Sequence, residues 1–190
     1  VWLLASGAAL CTAIPALYEP AWPLIWVAFV PFLMAIRAAT PRQAFVLGWW
    51  AETLTYWVGF YWLVRTMVDF GYIALPLSLL FFAIIGIANG IRMGVFAAWL
   101  RWLNVTAFPA WGLLPATLWV TLEYLFPRVF PWYMGCWLFP APVLTQLADV
   151  TGVPGLSFIL VLASTGGAAW IAPASHPSPT RWQRWQMSAI

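Results

Sequence analysis

Long apolar runs separated by short polar or proline-containing connections make up most of the 190 residues. A helix needs about 20 predominantly apolar residues to cross the hydrocarbon core of a bilayer, and the runs are close to this length. The pattern predicts an all-α fold, a polytopic transmembrane helix bundle with six full spans and the start of a seventh. The predicted spans cover about residues 1–17, 21–37, 43–64, 73–100, 111–125 and 152–172, and the seventh begins at 181.

The first run has a rival interpretation as a secretory signal peptide. A signal peptide begins with a positively charged segment, which is missing here, and at least five more apolar runs follow. We therefore expect the first run to be a true span, and we expect the natural chain to start before residue 1.

Composition places the chain among integral membrane proteins. Hydrophobic residues make up 64% and charged residues 7% of the sequence, whereas about a quarter of the residues of soluble domains are charged. The net charge of +3 comes from eight arginines and no lysine, a small excess that does not indicate a nucleic-acid partner.

The arginines instead predict an orientation, because cytoplasmic loops carry the excess of basic residues. If the chain starts on the cytoplasmic side, the inside connections hold five arginines and the outside connections two. The inside set is Arg37, Arg42, Arg101, Arg181 and Arg184, and the outside set is Arg65 and Arg128. Residues 123–150 then face the periplasm.

Two charged residues lie inside predicted spans, Glu52 in the third and Arg92 in the fourth. Each costs about 2.5 to 3.5 kcal/mol to insert unless it is paired, and both lie about 14 to 15 Å from the same surface. The Gly86, Gly90 and Gly94 stripe allows the two helices to approach closely. We predict that Glu52 and Arg92 form a structural ion pair that sets the register of the helices. In the competing arrangement, Arg92 extends to the cytoplasmic boundary and Glu52 is protonated.

Residues 123–150 contain too many prolines for one straight helix and are expected to form a periplasmic or re-entrant segment. Its aromatic residues, Trp132, Tyr133 and Trp137, are expected at headgroup depth, where amphipathic rings are enriched. Phe130-Pro131-Trp132 is compatible with a simple interfacial belt and turn. Glu123 either caps its helix in water or has a partner such as Arg128 or a substrate group, since an acid near a helix C-terminus opposes the dipole.

The order of motifs in this segment resembles the membrane domain of apolipoprotein N-acyltransferases. The shared features are Glu123 at a helix end, Phe130-Pro131-Trp132, and a Gln146-Leu147-Ala148-Asp149 stretch that leads through Gly152 and Gly155 to Ser157-Phe158. Phe126 and Cys136-Trp137 depart from the family pattern. The resemblance implies substrate contacts through Glu123, Arg128, Phe130, Pro131, Trp132 and Gln146.

The same resemblance implies a multi-pass protein of the bacterial inner membrane that works as a monomer without a cofactor. Its reaction would transfer an acyl chain from a membrane phospholipid donor to the α-amino group of a diacylglyceryl-modified lipoprotein acceptor. The family nucleophile belongs to a Glu/Lys/Cys set on a separate nitrilase-like domain, and this sequence has no lysine. The resemblance therefore assigns no catalytic residue to this chain.

Other chemistry has little support in the sequence. Cys11 and Cys136 lie in different apolar regions, and neither has the spacing of a metal site or a disulfide framework. His176, the one histidine, lies in a Pro/Ser-rich loop and is expected to be solvated. A non-enzymatic membrane scaffold or lipid-binding protein remains the alternative function, while a transporter would be expected to show related half-repeats, which are not visible.

Overall fold

A computed structural model describes residues 1–103, 113–127 and 132–171. Within these ranges all regular structure is helical, which confirms the all-α prediction. The α-helices are α1 Trp2–Leu17, α2 Phe29–Ile36, α3 Pro41–Gly59, α4 Trp62–Asp69, α5 Leu75–Trp102, α6 Leu113–Leu125, α7 Pro142–Thr145 and α8 Ala148–Ile171. Two 3-10 helices cover Glu19–Val27 and Met134–Leu138. The predicted start of a seventh span lies outside the described residues.

Three helical segments are long and apolar enough to cross a membrane. They are Glu19–Ile36, which joins the first 3-10 helix to α2, together with α5 and α8. The apolar helices α1 and α6 have 16 and 13 described residues. Helix α3 has 19 residues but carries Arg42, Gln43 and Glu52. The six complete spans therefore stay a prediction, of which the structure supports three.

The second and third apolar runs are less regular than the sequence predicts. Residues Glu19–Val27 form a 3-10 helix, because Pro20 and Pro23 cannot donate the backbone hydrogen bonds of an α-helix. The third run is divided, since α3 ends at Gly59 and α4 begins at Trp62. The predicted connection 65–72 is consequently helical through Asp69. Packing of Phe60 against other aromatic rings accompanies this break.

Helices α3 and α5 pack together as antiparallel neighbours, and among the described helices this pair has the most extensive contact. A Cβ atom added to Gly90 would lie 2.6 Å from the carbonyl oxygen of Trp49, and one added to Gly94 would lie 3.0 Å from that of Phe45. These glycines let the two backbones approach. A capping box between Thr40 and Gln43 starts α3 and so fixes where that helix begins.

The segment before α8 packs tightly against that helix. The backbone N–H of Gly135 donates to Ser157 Oγ at 2.8 Å, and a Cβ on Gly135 would lie 2.7 Å from Leu156 Cβ. Helix α8 begins at Ala148, earlier than predicted, and has a kink at Gly152, whose φ of 69° suits glycine. The proline-rich segment is therefore attached to the bundle through α8.

Candidate functional site

A cavity in the bundle interior connects the predicted ion pair with the proline-rich segment. It has a free volume of about 50 Å³, enough for a few water molecules or one small polar group. Its walls come from α1, α2, α3, α5, α6 and the Met134–Leu138 3-10 helix. The lining residues are Ala8, Ala9, Thr12, Ala28, Phe29, Ala51, Glu52, Thr55, Tyr56, Phe60, Arg92, Met93, Trp119, Trp132, Met134 and Trp137.

Glu52 and Arg92 meet on one side of this cavity as a buried ion pair, joining Arg92 Nη2 to Glu52 Oε1. The two residues are 8% and 6% exposed, so Arg92 does not extend to a water boundary as the competing arrangement required. The guanidinium carbon lies 4.7 Å from the centre of the Trp119 ring, a cation–π contact. Asn89, three residues before Arg92, donates to the Ile85 carbonyl oxygen within its own helix.

Arg92 also interacts electrostatically with Glu123 on α6. Among the described residues, Glu52, Arg92 and Glu123 therefore belong to one cluster of interacting charged groups. Charges buried in this way are tolerated only when they are paired and hydrogen-bonded. The arrangement extends the predicted pair to a third helix.

Glu123 is completely buried, although one interpretation of the sequence placed its carboxylate in water at a helix end. Its Oε1 accepts a hydrogen bond of 2.7 Å from the backbone N–H of Met134. A carboxylate that accepts from a backbone N–H makes a stronger bond than a neutral acceptor. Glu123 thus holds the start of the Met134–Leu138 helix against α6.

Trp132 and Trp137 form the aromatic wall of the cavity rather than an exposed belt. Trp137 is buried and Trp132 is half-buried; their ring centres lie 5.2 Å apart. Phe60 packs edge-on against Trp132 at 5.8 Å and stacks on Tyr56 at 4.8 Å. The break after α3 therefore orients Phe60 toward the aromatic residues of the proline-rich segment, and they form one cluster.

Of the other predicted substrate contacts, only Gln146 lies among the described residues. Gln146 follows α7 and is exposed, away from the lining residues. Arg128, Phe130 and Pro131 lie outside the described residues. Phe29 and Trp119 also line the cavity and were not predicted, since aromatic residues in apolar runs carry no distinguishing signal before the helices are packed.

Several polar atoms of the residues that line the cavity are buried. Among the described residues, Arg92 Nε, Arg92 Nη1 and Trp119 Nε1 are buried and have no hydrogen-bond acceptor. Within the same ranges, no three acidic, histidine or cysteine side chains are grouped to hold a metal ion. The three N–H groups are almost inaccessible to a water-sized molecule, and the cavity is lined mainly by apolar and aromatic side chains.

Comparison with known proteins gives consistent matches. The sequence model of the family described as apolipoprotein N-acyltransferase N-terminal domain matches residues 6–166. The apolipoprotein N-acyltransferase of Geobacter metallireducens is 31% identical over 165 residues, which are 82% of this chain and 32% of that protein. The one of Pseudomonas syringae pv. tomato is 35% identical over 152 residues, 75% of this chain and 29% of that protein. The chain thus spans about a third of the length of these relatives.

Proposed function

The chain belongs to the apolipoprotein N-acyltransferase family, and on this premise we propose that it is the membrane domain of an enzyme that acylates lipoproteins. The reaction moves an acyl chain from a membrane phospholipid to the α-amino group of the diacylglyceryl-modified cysteine of a lipoprotein. The domain sits in the bacterial inner membrane as a multi-pass bundle, with residues 123–150 on the periplasmic side. It holds the donor and the acceptor in the plane of the bilayer.

The observation that carries this proposal is the cavity between the ion pair and the motif segment. Two residues of the family-like motif are connected to this cavity. Trp132 lines it, and Glu123 accepts a hydrogen bond from the backbone N–H of Met134, which also lines it. The apolar helices around the cavity suit acyl chains, whereas the cavity itself, with about 50 Å³ of free volume, has room only for a small polar group. A belt at the membrane surface would not need a buried carboxylate.

The chemistry of transfer requires a nucleophile, a base and a cation that stabilises the tetrahedral oxyanion. The family's Glu/Lys/Cys set is not formed by this chain, which contains no lysine. Cys136 lies on the Met134–Leu138 helix, half-buried among apolar residues, and is assigned no part in the reaction. The role of the domain is therefore to position the two lipid substrates. Holding them together makes a reaction between two diffusing molecules effectively intramolecular.

The test uses the full-length gene product and its Trp132→Ala and Glu123→Gln variants. Acyl transfer to a diacylglyceryl lipopeptide should fall at least about tenfold in each variant, because the wall of the cavity or its anchoring hydrogen bond is lost. Membrane insertion should be unchanged. Trp102→Ala and Glu19→Gln, which change exposed residues of the same types, should retain full transfer.

Three results would count against the proposal. Normal turnover in both test variants would reduce the motif to a belt and a structural anchor. Equal losses in the control variants would show a general loss of stability. A full-length product that binds lipid but transfers no acyl chain would favour the alternative, a membrane scaffold or lipid-binding protein.

A further inference from the structure

Three arginines, which we call the arginine cluster, meet at the end of the bundle where α2 ends, α3 begins and α5 ends. Arg37 follows the last residue of α2, Arg42 lies in the first turn of α3, and Arg101 lies in the last turn of α5. The Nε atom of Arg101 donates a hydrogen bond of 2.7 Å to the carbonyl oxygen of Ala39. Because Ala39 stands between Arg37 and Arg42 in the chain, their backbones lie within about 7 and 11 Å of it.

Arg101 has a defined orientation in this cluster. Its side chain is half-buried, and its bond to Ala39 joins the end of α5 to the connection between α2 and α3. An arginine that sets only the orientation of a membrane protein needs no such fixed geometry. Arg42 is exposed, so its planar fork of N–H groups can contact an anion directly. The cluster therefore combines a positioned positive charge with an accessible one.

The arginine cluster has no acidic neighbour in the sequence. The acidic residue nearest to any of its members along the chain is Glu52, ten residues after Arg42 in the same helix, which is about 15 Å along the axis. Glu52 is buried and paired with Arg92. Within the described ranges Arg42 forms no ion pair. The cluster is therefore a local concentration of positive charge, which attracts anions.

Two tryptophans mark the depth of the cluster in the membrane. Trp99 and Trp102, in the last turn of α5, are 46% and 61% exposed. Tryptophan rings are enriched at the headgroup level of a bilayer, and Arg101 lies between these two in the sequence. In the predicted orientation this level belongs to the cytoplasmic leaflet, whose anionic lipids attract arginines near the surface. A phospholipid phosphate is therefore the anion nearest to the cluster.

We propose that the arginine cluster binds the phosphate of an anionic phospholipid in the cytoplasmic leaflet. Arg42 contacts the phosphate, while Arg37 and Arg101 provide positive charge around it. Phosphatidylglycerol keeps the negative charge of its phosphate, whereas the ammonium group of phosphatidylethanolamine cancels that charge, so the site prefers phosphatidylglycerol.

The inference does not depend on acyl transfer, because the cluster is remote from the motif segment. Arg42 lies at the start of α3, while Phe60, which follows the other end of this helix, contacts Trp132 of the motif segment. Inorganic phosphate presents the same chemistry as the lipid phosphate, and the test separates these two sources.

The binding test counts lipids on the full-length protein by native mass spectrometry in detergent. Phosphatidylglycerol and phosphatidylethanolamine with identical acyl chains are titrated separately, and each titration gives a dissociation constant. We expect phosphatidylglycerol to bind at least about tenfold more tightly, since an arginine near an anionic lipid surface contributes about fivefold in affinity. The preference should weaken as ammonium acetate is raised, because salt screens exposed charges.

Substitutions separate a built site from general attraction. Arg42→Gln and Arg37→Gln should each lower the affinity for phosphatidylglycerol about fivefold, with the affinity for phosphatidylethanolamine unchanged. Arg101→Lys keeps the charge but loses the Nε bond to Ala39, and it should lower the affinity for phosphatidylglycerol at least about threefold. Arg65→Gln, which changes an exposed arginine of α4, is the matched control and should keep the preference.

Each other outcome overturns the inference. Equal affinity for the two lipids, or equal losses in Arg65→Gln and Arg42→Gln, would show attraction without a site. Unchanged affinity in Arg101→Lys would show that the position of the charge is unimportant. Displacement of phosphatidylglycerol by inorganic phosphate at constant ionic strength would identify free phosphate as the ligand. A loss of preference in Trp132→Ala as large as in Arg42→Gln would place the lipid at the motif segment. Because Arg42 is exposed, Arg42→Gln should fold normally, which circular dichroism checks.

Discussion

Removing the charges of the Glu52–Arg92 pair one at a time and together tests how the bundle is held in register. Both side chains are at least nine-tenths buried, so a single substitution leaves a buried charge without its partner. Such losses cost about 3 to 5 kcal/mol. The loss in free energy of unfolding for Glu52→Gln should be near the lower value, because the guanidinium of Arg92 keeps its interaction with Glu123.

Arg92→Gln should be the more harmful single change. It leaves the Glu52 carboxyl group without its paired guanidinium, removes the electrostatic interaction with Glu123 and also removes the contact with the Trp119 ring, worth about 0.5 to 2 kcal/mol. In the double variant the two amides can hydrogen-bond to each other. We expect it to be more stable than either single variant, with a coupling energy above about 2 kcal/mol.

Unfolding of the purified protein in mixed micelles, followed by circular dichroism, measures these differences. The matched control is Arg65→Gln with Asp69→Asn, an oppositely charged pair four residues apart and exposed on α4, for which each change should stay within about 0.5 kcal/mol. Strictly additive losses at Glu52 and Arg92 would refute the argument that the pair acts as one buried unit.

Three further predictions concern packing and orientation. Gly90→Ala should destabilise the protein by about 1 to 3 kcal/mol in the same unfolding assay, since its Cβ would lie 2.6 Å from a backbone carbonyl oxygen of α3; unchanged stability would show that the helices can separate without cost. Ser157→Ala should lower the free energy of unfolding by about 1 to 3 kcal/mol, because the Gly135 N–H loses its acceptor. Ser157→Thr keeps a hydroxyl group and should recover part of that stability. Reporter fusions after Arg128 and after His176 should indicate the periplasm and the cytoplasm, and the same side for both would contradict the predicted topology.

The sequence by itself determined the helical class, the family and the pairing of two charges. These follow from quantities that are counted along the chain: run length, apolar content and motif order. The matching depths of Glu52 and Arg92 can also be counted along the chain, because each residue adds a constant distance along a helix axis. The structure places the two side chains in contact, as the counting predicts, while their effect on stability stays a prediction.

Only the tertiary structure decided what surrounds that pair. Depth along a helix says nothing about its rotation, so the sequence could not show that Trp119 and Glu123 of α6 face Arg92. The path of the proline-rich segment was equally undetermined, because prolines exclude a straight helix without selecting a replacement. Long-range packing turns Trp132 inward and pairs Glu123 with the Met134 backbone. The cavity exists because several helices, each unremarkable alone, leave the same interior space between their aromatic side chains.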